Sequence, residues 1–175
     1  MKTAFALASA ALVATIGVPA AAGVVITLEA PGVSETTQTF AASGVETFDN
    51  GHNVGANQSF TSDFGGTLGY TGDYSNVQIL SNDSWGGVEN SNYAVALGQG
   101  SSYTLQLNQS ADYFGFYLLA LSSGNKMEFF SESTSVLSLD YNQLMSHMTS
   151  AYYGSPYGGQ TQSEYFGFFN FNFTD

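Results

Sequence analysis

The sequence predicts an all-β protein: a jelly-roll-like antiparallel β-sandwich with long polar loops and at most a short helical turn. Three observations predict it. Beyond residue 22, no stretch of any length repeats apolar residues at helical spacing. Short runs of β-branched and aromatic residues recur instead, broken by Gly, Asn, Ser and Asp. Several of these runs alternate apolar and polar residues, the period of two of a half-buried strand.

The N-terminal segment stands apart. Lys2 gives a short positive start, and residues 3–18 are uncharged and rich in Ala, Leu, Val and Ile. Pro19 breaks the run, and Ala20-Ala21-Ala22 offers the small-x-small pattern of a cleavage site. Residues 1–22 are therefore expected to be a secretory signal peptide, cut after Ala22. The run is too short and Ala-rich for a spanning helix, which needs roughly 20 apolar residues. Residues 23–175 then form one β-sandwich domain, secreted or extracellular and possibly attached at the cell surface. The chain as given is expected to lack its last strand or strands, because 164–173 would otherwise be an apolar strand with no following partner.

Candidate strands follow in order at 24–29, 45–48, 59–62, 77–80, 93–97, 103–107, 113–121, 126–131, 135–139 and 164–173. Asp49-Asn50-Gly51, Thr71-Gly72-Asp73, Gly98-Gln99-Gly100 and Ser123-Gly124-Asn125 are among the turns between them. Tyr103, Leu105 and Leu107 alternate with Thr104 and Gln106, the period of two of a half-buried strand. By the same rule Phe169, Phe171 and Phe173 should point inward, and Asn170 and Asn172 outward. The run 113–121 is apolar on both faces and belongs between two layers. Asp112–Tyr117 recurs as Glu164–Phe169, with a mid-strand glycine between aromatics, and the two strands are expected to be paired neighbours. One helical turn is expected at 141–147. The polar stretches 30–44 and 151–163 are expected to be loops.

Charge narrows the partners. The residues after the leader hold one lysine, Lys126, against 14 acids, a formal charge of −13. Such a surface repels phosphate backbones and anionic membranes, so nucleic acid is excluded, and no membrane span is expected after the leader. With no cysteine in the chain, disulfides, thiolate–zinc sites and cysteine nucleophiles are excluded. Export without cysteine fits a bacterial source. The sequons at Asn57, Asn82, Asn108 and Asn172 then carry no weight.

Three site chemistries compete. His52 and His147 are the only histidines, His52 sits in a turn where a solvated ring is the default, and no nucleophile motif is present. Paired carboxylates for a secreted glycan hydrolase are possible among many acids, but none is marked. Glu46, Asp49, Asn50 and Asp112 put oxygen donors at strand ends and are candidate ligands for a structural calcium; the alternative is that Asp49-Asn50 simply makes a turn. Trp85, Tyr152, Tyr153 and Tyr157 lie in loops, where rings suit stacking on sugars in a carbohydrate-binding module; the alternative is that they cap the sandwich.

The run Ser102–Leu107, then Ala111-Asp112-Tyr113-Phe114-Gly115-Phe116-Tyr117, then Met127-Glu128-Phe129-Phe130, resembles bacterial exosortase-dependent (PEP-CTERM) surface proteins. Thr47-Phe48-Asp49 and the aromatic run from Tyr165 to Asp175 fit the same pattern, which covers about two-thirds of the chain after the leader. Leu118 stands where the family often carries tryptophan, and the Pro-Glu-Pro motif, apolar helix and basic end of the sorting signal are missing. The resemblance implies a non-enzymatic surface or extracellular-matrix protein, acting in adhesion or matrix assembly among polysaccharide and other matrix components.

Overall fold

Alternation and aromatic content do produce eleven strands among the described residues. The computed structural model describes residues 6–8, 11–15, 23–65, 68–81, 88, 91–98, 100–157 and 163–174. In chain order the elements are β1 (Ala6–Ala8), β2 (Ala11–Thr15), β3 (Gly23–Leu28), β4 (Asn57–Ser62), β5 (Gly72–Leu80), β6 (Tyr93–Val95), β7 (Ser102–Leu107), β8 (Tyr113–Leu121), β9 (Lys126–Ser131), β10 (Thr134–Asp140), α1 (Tyr141–Met145), a 3-10 turn at Ser150–Tyr152, and β11 (Tyr165–Thr174). The fold is all-β. Trp85 and Ala22, after which cleavage is expected, lie outside the described residues.

The strands form one sheet in the order β10-β9-β2-β7-β5-β6-β1-β8-β11-β3, with β4 on β5. All pairs are antiparallel except those of β1 and β2, which run parallel to both neighbours. The sheet closes over on itself. Phe129 of β9 and Phe171 of β11 are far apart in strand order, yet their rings sit 4.8 Å apart. The self-similar strands β8 and β11 are indeed paired neighbours, from Tyr113↔Asn172 to Tyr165↔Leu121.

These two strands are buried on both faces. Phe114, Phe116, Phe169, Phe171 and Phe173 feed the main core. Tyr117, Leu119, Phe166 and Phe168 feed a second one with Tyr93 and Val95. A bulge at the end of β8 sets extra chain against β11 between Tyr165 and Gly167. Ala120 takes φ 50° there, and Leu121 is returned to the main core. The helical turn forms where expected, on a capping box: Gln143 N–H donates to the Asp140 carboxylate (2.9 Å) and the Gln143 side chain accepts from Asp140 N–H (2.9 Å).

The expected strand at 45–48 does not form. Phe48 is buried with φ 60°, a left-handed conformation that turns the backbone at the end of the expected strand. Its N–H donates to Glu46 Oε1 (2.7 Å) and its carbonyl accepts from Asn92 Nδ2 (2.9 Å), so side chains satisfy the backbone that a neighbouring strand would otherwise pair. Asn170 also departs from expectation: it is buried rather than outward, because residues 29–37 cover that face of β11.

The same covering segment makes one glycine indispensable. A Cβ on Gly44 would lie 2.6 Å from the Phe64 carbonyl oxygen, which Val45 N–H holds at 3.0 Å. A tethered backbone atom cannot swing away. Gly44→Ala should cost about 1–3 kcal/mol, seen as a lower urea midpoint at unchanged m-value.

Candidate functional site

Residues 29–56 join β3 to β4 without forming a strand, apart from an isolated bridge between Val54 and Ile79. A buried carboxylate bolts the start of this segment to the sheet. Glu29 is buried, and its Oε1 accepts from Thr37 N–H (2.8 Å), Asn170 Nδ2 (3.0 Å) and Thr36 Oγ1 (3.3 Å). Its Oε2 accepts from Thr37 Oγ1 (2.7 Å). Burial pushes the carboxyl up, but the bonds from Thr37, Asn170 and Thr36 together outweigh it and hold Glu29 below its ordinary value. Tyr113 extends the network by donating its hydroxyl to Asn170 Oδ1 (2.6 Å). Burial raises that phenol to about 12, with the Glu29 charge adding to the rise, so it stays a neutral donor.

An open groove of about 1160 Å³ lies between this segment, the loop after β4 and the start of β8. Phe40, Tyr70 and Tyr113 give it aromatic surface, and Phe40 packs on Tyr113 at a centroid distance of 4.3 Å. Glu46, Asp63 and Asp112 give it acceptors, and His52 lines it as well. His52 is not a solvated loop residue. Its imidazole is 9% exposed, lies 4.0 Å from the Phe60 ring and points Nε2 at Glu46 Oε1, 3.5 Å away.

Of the four candidate calcium ligands, Glu46, Asn50 and Asp112 border this groove and Asp49 does not. Asp49 holds the chain entering β6: Oδ1 accepts from Asn92 N–H (2.7 Å) and Oδ2 from Ser91 Oγ (3.3 Å). Glu46 Oε1 is engaged by Phe48 N–H (2.7 Å). Among the described residues no three His, Asp or Glu side chains gather closely enough to hold a metal ion.

The loop tyrosines separate. Tyr152 donates to the Glu29 carbonyl (2.8 Å) and Tyr157 to the Gly32 carbonyl (2.9 Å), so both brace the segment that walls the groove. Tyr153 is 53% exposed and packs edge-on against Tyr165 at 5.2 Å. Sequence reasoning missed Glu29, Thr37 and Asn170. The available signals were an acid closing an apolar strand and an amide inside a run of phenylalanines.

Lys126, the one lysine or arginine beyond residue 22, lies 3.0 Å from Glu128. The groove lining holds Glu35, Glu46, Asp63 and Asp112 and, among the described residues, no lysine or arginine. Among the described residues no helix is long and apolar enough to cross a membrane. No family model, no curated protein and no solved structure matches the chain.

Proposed function

We propose that this is an exported, non-enzymatic bacterial surface or matrix protein, and that it acts in adhesion or matrix assembly by holding an uncharged polysaccharide. The carrying observation is the groove: aromatic faces at Phe40, Tyr70 and Tyr113 beside carboxylates at Glu46, Asp63 and Asp112. Sugar rings present C–H faces to aromatic rings and hydroxyl donors to carboxylates. The charge of the surrounding surface disfavours anionic polymers. Export rests on the uncharged apolar leader and the alanines at 20–22. The matrix role rests on the resemblance to exosortase-dependent surface proteins.

A carbohydrate-binding module built on Trp85 and the loop tyrosines is the second reading. Tyr153 is its best support, as the described tyrosine of that set with an exposed ring.

Affinity electrophoresis through gels carrying neutral or anionic polysaccharides tests the choice. The protein should be retarded by a neutral polymer and not by a sulfated or uronic one. A ring contact contributes about 1 kcal/mol beyond its area, so Phe40→Ala should weaken retention about fivefold, whereas Tyr153→Ala should leave it unchanged. The opposite pattern moves the site to the loop tyrosines. Release of reducing sugar from any of these polymers would replace the proposal with a hydrolase.

A further inference from the structure

Two strands of the sheet come from the segment that export is proposed to remove. β1 lies parallel between β6 and β8, and β2 lies parallel between β7 and β9. Hence β7 and β9 run the same way, separated by the width of one strand. Removing residues 1–22 strips the partners from the facing N–H and C=O rows of both. Such edges recruit another strand. Because the two edges are mutually parallel, one strand can enter antiparallel to both, the slightly more stable ladder.

We propose that in the exported chain this gap is filled by β3 of a second copy, so that chains link head to tail by strand exchange. The proposal rests on the export and matrix reading above and gives it a partner, the same chain.

Three observations select β3. A strand entering the gap needs both edges free. β3 ends the sheet order, pairs with β11 alone among the described strands, and begins at Gly23, the residue that cleavage makes N-terminal. It can detach without dragging another element. The pattern fits as well. The gap's rows are Leu12 with Tyr103 and Met127, and Ala14 with Leu105 and Phe129. Tyr103, Leu105, Met127 and Phe129 are buried, so the entering strand needs apolar residues at alternate positions. Val24, Ile26 and Leu28 alternate in this way and already pack against the same core. Finally, the bonds of Glu29 to Thr37 and Asn170 fix the chain just after β3, so that the strand can swing out from Leu28 while residues 29–56 stay in place. Exchange replaces a ladder on one edge of β3 with ladders on two. Donor and acceptor surfaces differ, so the contact is heterologous and open-ended rather than a closed dimer.

The test uses the chain exported through its own leader by a secreting bacterium, with N-terminal sequencing, and the uncleaved chain for comparison. The probe is a synthetic peptide of residues 10–16. The exported chain should start at Gly23 and sediment as a concentration-dependent series of oligomers. The peptide should convert them to monomers carrying one peptide each, and a Val13→Pro peptide, lacking an N–H donor, should not. The uncleaved chain should be monomeric and ignore the peptide. An Ile26→Asn chain should accept a strand but donate poorly, shortening mixed oligomers; if it does not fold, the peptide competition still decides. A chain starting at Gly23 that stays monomeric at all concentrations and ignores the peptide overturns strand exchange alone. So do oligomers or aggregates indifferent to the peptide. A chain found outside the cell with Met1 intact overturns the leader reading and the exchange together.

Discussion

Phe171→Ala should lower the melting temperature by about 6–20 °C. The residue is fully buried in the middle of β11. Its ring stacks on Phe116 at 5.7 Å and 7° and meets Phe129 at 4.8 Å and Phe169 at 6.1 Å. In backbone register it stands between Phe114 of β8 and Ile26 of β3. Truncating such a ring removes its transfer free energy and leaves a cavity that rigid aromatic neighbours cannot fill, about 3–5 kcal/mol in similar cases. For a domain of this size each kcal/mol shifts the midpoint by about 2–4 °C. Calorimetry checks the value. Phe171→Leu, which keeps most of the volume, should recover more than half of the loss. If both variants melt within about 2 °C of the parent, the main core is not centred on β11, since only well-packed sites carry such costs.

That ring was legible in the sequence, and its neighbour Asn170 was not. Alternation assigns faces correctly when one face is solvent. In β11 the period of two does sort Phe166 and Phe168 from Phe169, Phe171 and Phe173, but into two cores rather than into core and water. Asn170 therefore reads as outward and is buried, because a segment 141 residues away in sequence lies over it. Turn chemistry was similarly half visible. Asp49 reads from sequence as a turn residue or a metal ligand, and its carboxylate accepts from Ser91 and Asn92 across more than 40 residues. The strand expected at 45–48 gives way to bonds between the Phe48 backbone and the side chains of Glu46 and Asn92, the second 44 residues away, which composition cannot reveal. Burial of His52 is non-local in the same way: Phe60 and Glu46 make it, and neither belongs to the turn that holds the ring. The groove had no sequence signature, because its walls come from four separated stretches brought together by side chain–backbone bonds.

Glu29→Ala should release the groove-walling segment and destabilise the fold by about 3 kcal/mol or more. The carboxylate satisfies the Thr37 amide, the Asn170 amide and two hydroxyls. Bonds to a charged acceptor contribute about 1.5–3 kcal/mol each, and buried donors left without one cost a similar amount. Amides around Thr37 and Gln38 should then exchange with solvent far faster, while those in the middle of β8 keep most of their protection. The same carboxylate gives a defined pH dependence. Its folded pKa lies below the ordinary 4.5, so the unfolded chain binds the proton more readily. Its stabilisation is present in full above pH 4.5 and is lost as pH falls through the lower folded value. Glu164 works with the opposite sign: burial raises its pKa, so it burdens the fold above its folded value and not below 4.5. The measurement is therefore a comparison, with unfolding free energy followed from pH 6 to pH 2 in the parent and in Glu29→Gln. The variant keeps the shape of the side chain but cannot ionise. It should be less stable at pH 6, and the difference from the parent should shrink steadily through the acid limb as the parent's carboxylate takes up its proton. A difference that stays constant with pH would mean that the segment is held by packing alone, with the charge of Glu29 contributing nothing to the groove wall.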